Sequence, residues 1–172
     1  MTTKEAARHG RTGRDRMNLR ASGSAVKFRA SMRIGGLDVG ERRIGVAVSD
    51  ELGWTAQGLG VITRTGLEHD LKMLGARFAP YAPSTIVVGL PRNMNGSEGP
   101  QAKKARTFAA RVEAALGVAT VLWDERLSTV AAERVLLEAD MSRAKRRRVI
   151  DKLAAVVILQ GYLDRLARAG TS

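Results

Sequence analysis

The stretch Arg33-Ile34-Gly35-Gly36-Leu37-Asp38-Val39-Gly40-Glu41-Arg42-Arg43-Ile44-Gly45-Val46-Ala47-Val48-Ser49 reads as two strands, roughly 33–39 and 43–49, with a short turn at Glu41, Arg42 and Arg43. Apolar residues flank Asp38 on both sides, so its carboxylate stands at the edge of a core, where a charge has to be paired or metal-bound. A plain turn residue bonding backbone amides ahead of Gly40 is the competing reading. At a strand end, however, the same acid is offered to a cleft.

Outward from this stretch the pattern continues with a third strand over 57–63 and a helix over about 67–78, with Leu67, Leu71, Leu74 and Phe78 at helical spacing. Pro80 and Pro83 stop that helix. Thr85-Ile86-Val87-Val88-Gly89-Leu90 is a short continuous apolar run, the pattern of a parallel strand buried on both faces. A polar loop from Pro91 to Pro100 precedes a helix over about 101–116, and a fifth strand covers 118–123. Two helices complete the chain, one over 129–139 with Ser128 as N-cap and one from about 142–144 to 167. The order βββαβαβαα predicts an α/β fold with a mixed five-stranded sheet flanked by helices.

The 172 residues carry a formal charge of +12 and a sequence pI near 11.1, which points to a polyanionic partner, nucleic acid before an acidic membrane surface. No apolar run reaches the length of roughly 18 residues that a bilayer span requires. No apolar segment follows the early basic residues as a secretion signal would, so secretion is not expected. The absence of cysteine excludes disulfides, thiol nucleophiles and Cys-based zinc sites. His9 and His69 are too few and too isolated for a His-rich metal site or a Ser-His-Asp triad. Residues 1–32 hold eight Lys or Arg against two acids and few large apolar side chains. Such a segment cannot bury enough surface to offset its ordering entropy, so a disordered basic arm is expected ahead of one domain over 33–172.

Two further acids invite the same reading as Asp38. Glu125 stands where the apolar run Val118 to Trp123 stops, although a surface pair with Arg126 would also account for it. Asp124 competes with it, since alternation along a strand lets only one of the two face a given side. Asp151 lies among Val149, Ile150, Leu153, Val156 and Val157, where an unpartnered carboxylate would be costly. Three carboxylates from three separate elements suggest a hard-metal site. Mg²⁺ or Mn²⁺ takes such oxygen ligands, and paired ions of this kind serve phosphodiester hydrolysis.

The basic residues are grouped to suit that substrate. Arg143, Lys145, Arg146, Arg147 and Arg148 crowd the start of the last helix, where cations oppose the helix dipole. A phosphate backbone passing Asp151 explains them, with a merely solvated basic face as the alternative. Arg43, the loop residues Arg92 and Asn95, then Lys103, Lys104 and Arg106 on the following helix, and Arg126 beside Glu125 complete the expected nucleic-acid-binding set.

Four motifs then carry a resemblance: Leu37-Asp38-Val39-Gly40 with Arg43 to Asp50, Val88-Gly89-Leu90-Pro91 with Asn95-Gly96-Ser97-Glu98, Asp124-Glu125-Arg126-Leu127-Ser128-Thr129, and Ile150-Asp151 with Ala154-Ala155 and Ile158-Leu159-Gln160. In order and spacing, over about 33–166, they resemble the YqgF/RuvX family of pre-16S ribosomal RNA nucleases and Holliday junction resolvases. The resemblance implies a ribonuclease H-like fold, with Asp38, Glu125 and Asp151 as catalytic metal-binding acids. It implies a cytoplasmic bacterial protein acting on structured RNA or branched DNA, with a homodimer as one arrangement. Gly35-Gly36 and Trp123 depart from the family's usual pattern, and the basic arm has no counterpart in most members.

Readings of other classes weigh less. An Asp-x-Gly turn between strands also serves actin-like ATPases and sugar kinases, but those need two such domains, and no Gly-x-x-x-x-Gly-Lys phosphate loop is present. A non-catalytic nucleic-acid-binding protein acting in transcription would bind without metal-dependent turnover.

Overall fold

A computed structural model describes residues 33–127 and 143–170, with side chains in the second stretch from residue 152 onward. The expected arm over 1–32 and the expected helix over 129–139 with its Ser128 cap lie outside the described residues. Strands β1 (Ile34–Val39), β2 (Arg43–Ser49) and β3 (Ala56–Thr63) are followed by helix α1 (Leu67–Phe78) and strand β4 (Thr85–Leu90). Helix α2 (Pro100–Leu116), strand β5 (Ala119–Asp124), a 3₁₀ turn (Glu125–Leu127) and helix α3 (Arg143–Ala169) complete the described elements. The boundaries lie within two residues of those expected, and the main shift is that Asp124 ends β5.

The five strands form one sheet in the order β3-β2-β1-β4-β5. Pairings β1/β2 and β2/β3 are antiparallel, whereas β1/β4 and β4/β5 are parallel. The sheet is therefore mixed, as the element order predicted. Alternation sorts the apolar run of β4 onto two sides: Ile86 and Val88 join the core against α1 and α2, and Val87 joins the core against α3.

The two cores differ in how closely the helices approach. On the α1/α2 face, Leu37, Ile44, Val46, Ile62, Leu74 and Val112 are all buried in one cluster. On the α3 face, Ala154, Ala155, Ile158 and Leu159 pack on Ala47 and Val87. A Cβ at Gly36 would sit 2.8 Å from Leu159 Cβ and 3.2 Å from the Ala155 carbonyl oxygen, so only glycine lets α3 lie this near β1. The loosening that Gly36 brings to the first strand is thus a docking surface for the last helix. Leu67 is 43 % exposed and stands off the α1 stripe, whose buried positions are Asp70, Leu74 and Phe78.

Candidate active site

The parallel strands β1, β4 and β5 all end at the same edge of the sheet, and that is where the acids stand. Parallel registers Leu37↔Val88 and Val88↔Leu122 align the three strands. One step on, Asp38 lies beside Gly89, and Gly89 pairs with Trp123. Asp38 alternates with Leu37 and so shares the α3 side with Gly36.

Glu125 follows Asp124, in the 3₁₀ turn. Its carboxylate folds back across the sheet, so that Oε1 would lie 2.6 Å from a Cβ at Gly89. Adjacent strands are separated by about 4.8 Å. Glu125 thus brings its charge onto the strand next to the one that carries Asp38. Gly89 is what makes the room, because any side chain there would collide with Glu125 and with Ile158 Cδ1, also 2.6 Å away.

Alternation along the strand separates Asp124 from Glu125. Leu122 packs toward α2 and Trp123 toward α3, so Asp124 falls on the α2 side. There it accepts from Arg126 Nη2 at 2.7 Å and Nε at 3.0 Å, and Arg92 Nη1 lies 3.7 Å away. The Arg126 hydrogen bond holds the Asp124 carboxyl below its ordinary range. Arg126 therefore pairs with Asp124, and the surface pair considered for Glu125 is made by its neighbour.

The third acid, Asp151, sits on α3 one turn before Ala155, the residue whose carbonyl lies over Gly36. Its side chain lies outside the described set, as do those of Arg143, Lys145, Arg146, Arg147 and Arg148. Among the described residues no three Asp, Glu, His or Cys side chains converge. Asp38 and Glu125 are the two that the fold brings to one edge.

Arg92, Lys104, Arg106 and Arg126 are tied into the loops that rim this edge. Arg92 Nη2 donates to Glu98 at 3.2 Å and Arg106 Nη2 donates to the same oxygen at 2.6 Å. Asn95 Oδ1 accepts from the Ser97 amide at 3.0 Å and its hydroxyl at 2.6 Å, folding the loop on itself. Arg126 Nη1 reaches the Met94 carbonyl at 3.4 Å. Lys104 donates to Glu41 in the β1–β2 turn at 2.9 Å. Lys103 is exposed and Arg43 is half-buried at the start of β2. Pairs this exposed contribute little stability, so a phosphate can replace a carboxylate partner at small cost.

A buried acid near this edge and its half-buried partner were missed in the sequence: Asp70 and Arg64. The signal was present, since Asp70, Leu74 and Phe78 are spaced four apart and a carboxylate on that apolar stripe demands a partner.

The architecture and the carboxylate-bearing strand ends define a ribonuclease H-like nuclease fold. A solved structure of Thermus thermophilus RuvC in complex with a Holliday junction substrate shares it, with a TM-score of 0.52 at 16% identity, covering 82% of this chain and 98% of that one. The chain belongs to the RuvX family, described as Holliday junction resolvase, whose model matches residues 32–165. A protein of Symbiobacterium thermophilum named "Putative pre-16S rRNA nuclease" is 63% identical over 77% of this chain and 92% of its own length. A Moorella thermoacetica protein of the same name is 60% identical over 81% of this chain and 99% of its own length.

Proposed function

We propose that this chain is a divalent-metal-dependent endonuclease of the bacterial cytoplasm that processes the 5′ end of pre-16S ribosomal RNA. The observation that carries the reading is the placement of Asp38 and the Glu125 carboxylate on adjacent strand ends, with Gly89 left bare between them. The relatives at 63% and 60% identity supply the substrate.

Oxygen donors alone suit Mg²⁺ or Mn²⁺. Asp38 and Glu125 would hold the ion, with Asp151 from α3 as the third ligand. A bound ion of this kind supplies Lewis-acid polarisation of the phosphate and lowers the pKa of a coordinated water. The chain's own groups do the rest. Gly89 fixes the Glu125 carboxylate by excluding any competing side chain, and the ordered Pro91–Pro100 loop brings Arg92 and Asn95 alongside. Arg43, Lys103, Lys104, Arg106 and Arg126, with the basic start of α3, give the phosphate backbone its track. Among the described residues no helix is long and apolar enough to cross a membrane.

Resolution of four-way DNA junctions is the second reading, favoured by the description of the matching family. It uses the same acids, and a homodimer would present two sites to the two symmetric strands. Labelled pre-16S leader RNA and a four-way junction, each with Mn²⁺, Mg²⁺ or EDTA, separate the two. The expected outcome is metal-dependent cutting of the RNA. Asp38→Asn should lower it by roughly 100-fold or more with binding retained, since losing even an outer partner of a metal ligand costs about 10–100-fold. Full cleavage by Asp38→Asn would remove the site assignment, and binding without cleavage by the parent chain would favour a non-catalytic nucleic-acid-binding protein.

A further inference from the structure

Arg64 leaves the end of β3 and is held at every donor it uses. Its Nε donates to Asp70 Oδ2 at 2.8 Å, and its Nη1 donates to the Gly40 carbonyl at 2.8 Å. Its backbone amide donates to the Arg42 carbonyl at 2.9 Å. The guanidinium lies over the Phe108 ring of α2, 5.0 Å from the centroid. Arg64 thus holds two carbonyls of the turn that follows Asp38, Gly40 through its guanidinium and Arg42 through its backbone amide, while two helices fix its own orientation. The turn closes on itself through the Gly40 amide and the Arg43 carbonyl at 2.9 Å.

Asp70 is fully buried, and its Oδ1 has no hydrogen-bond partner, with His69 Nδ1 3.7 Å away. Burying this acid against a half-buried arginine gives no advantage in stability over an apolar residue of the same shape. A chain that needed only to pack α1 on the sheet would place a leucine at position 70, in line with Leu74 and Phe78. The geometry supplies another reason, because the planar guanidinium donates in two fixed directions at once, one to the acid and one to the turn. Position 40 is two residues beyond Asp38, and across the turn Glu41 accepts from Gln101 at 2.8 Å and Lys104 at 2.9 Å, both on α2.

We infer that Arg64 and Asp70 are positioning residues for the nuclease site: Asp70 aims Arg64, and Arg64 fixes the turn that holds the Asp38 carboxylate in place. This rests on the nuclease reading above. Lysine has one donor centre and cannot lie flat on Phe108 while reaching both acceptors, so Arg64→Lys keeps the charge and loses the geometry.

The test compares the full-length parent with Arg64→Lys and with the paired apolar variant Arg64→Met/Asp70→Leu, which retains packing if the lysine variant misfolds. The readouts are kcat and KM on the substrate that the parent cuts, the melting temperature, and hydrogen exchange of the Gly40 amide. Both variants should lose roughly tenfold in kcat, since a displacement of about 1 Å near reacting groups can cost 10²-fold. KM should stay within about twofold and melting should be little changed in the apolar pair, while Gly40 exchanges faster. A lower melting temperature with kcat intact, or unchanged kcat in both variants, overturns the positioning role alone. A parent that cuts neither RNA nor junction overturns the nuclease reading and takes the positioning role with it.

Discussion

Toward α1 and α2 the sheet presents Leu37, Ile44, Val46, Ile62, Ile86 and Val88; toward α3 it presents Gly36, Ala47, Val87 and Gly89. Large branched side chains make the first face a thick core whose interior is sealed from the edge. Small residues on the second let a helix lie almost on the backbone, and where the helix packing meets Gly89 a carboxylate fits instead. Both faces are buried cores, but the second leaves room at Gly89, where the Glu125 carboxylate stands.

Removing volume from the first face should therefore damage stability and leave chemistry alone. Leu74 is fully buried against that core. Leu74→Ala should cost about 2–5 kcal/mol, read by denaturant unfolding, with the rate per folded molecule unchanged. A loss of turnover among molecules that remain folded would break the distinction between the faces.

Adding volume to the second face should do the reverse. Gly89→Ala places a methyl 2.6 Å from Glu125 Oε1 and from Ile158 Cδ1. Overpacking of this kind costs about 1–3 kcal/mol, but moving Glu125 by even about 1 Å should lower cleavage by up to roughly 100-fold. Gly36→Ala is the matched control, because its methyl meets Leu159 and the Ala155 carbonyl and no acid. It should reproduce the stability loss with turnover far less affected. Equal loss of turnover in the two variants would mean that α3 placement, and not the Glu125 carboxylate, is what Gly89 protects.

How far the sequence discloses these two faces depends on the kind of interaction. Strands and helices were legible because period and length are local, and the place of Asp38 at a strand end was legible for the same reason. The different surroundings of Asp124 and Glu125 were not legible, since they depended on the strand running one residue further and turning Asp124 toward Arg92 and Arg126. Arg92, Arg106 and Arg126 were placed in the nucleic-acid-binding set from sequence, and their partners Glu98 and Asp124 could be matched to them only once loop, helix and strand met in space. Arg64 stayed hidden for the same reason, although Asp70 had left its mark as an acid on an apolar stripe.

The smallest expected effect lies at the edge where the faces meet, in the loop that rims the site. The Glu98 carboxyl is held below its ordinary range, first by the hydrogen bond from Arg106 and then, against the cost of desolvation, by Arg92. A carboxylate whose folded pKa is lowered contributes stability above its unfolded value, about 4.3 for glutamate, and loses it as the pH falls through the folded one. The loop should therefore loosen only in acid, and hydrogen exchange at Gly96, whose amide donates to the Asn93 carbonyl at 2.8 Å, should show it. Protection relative to the core amide of Val87 should decline from about pH 4 downward, and Glu98→Gln should bring the weaker protection to neutral pH with the acid dependence flattened. Arg64, by contrast, ties the Gly40 turn through a buried acid, so the Gly40 amide should hold its protection in Glu98→Gln at neutral pH. If Gly40 loosened together with Gly96, the two rims of the site would be one cooperative unit, and the separation of a buried strut from an exposed clasp would fail.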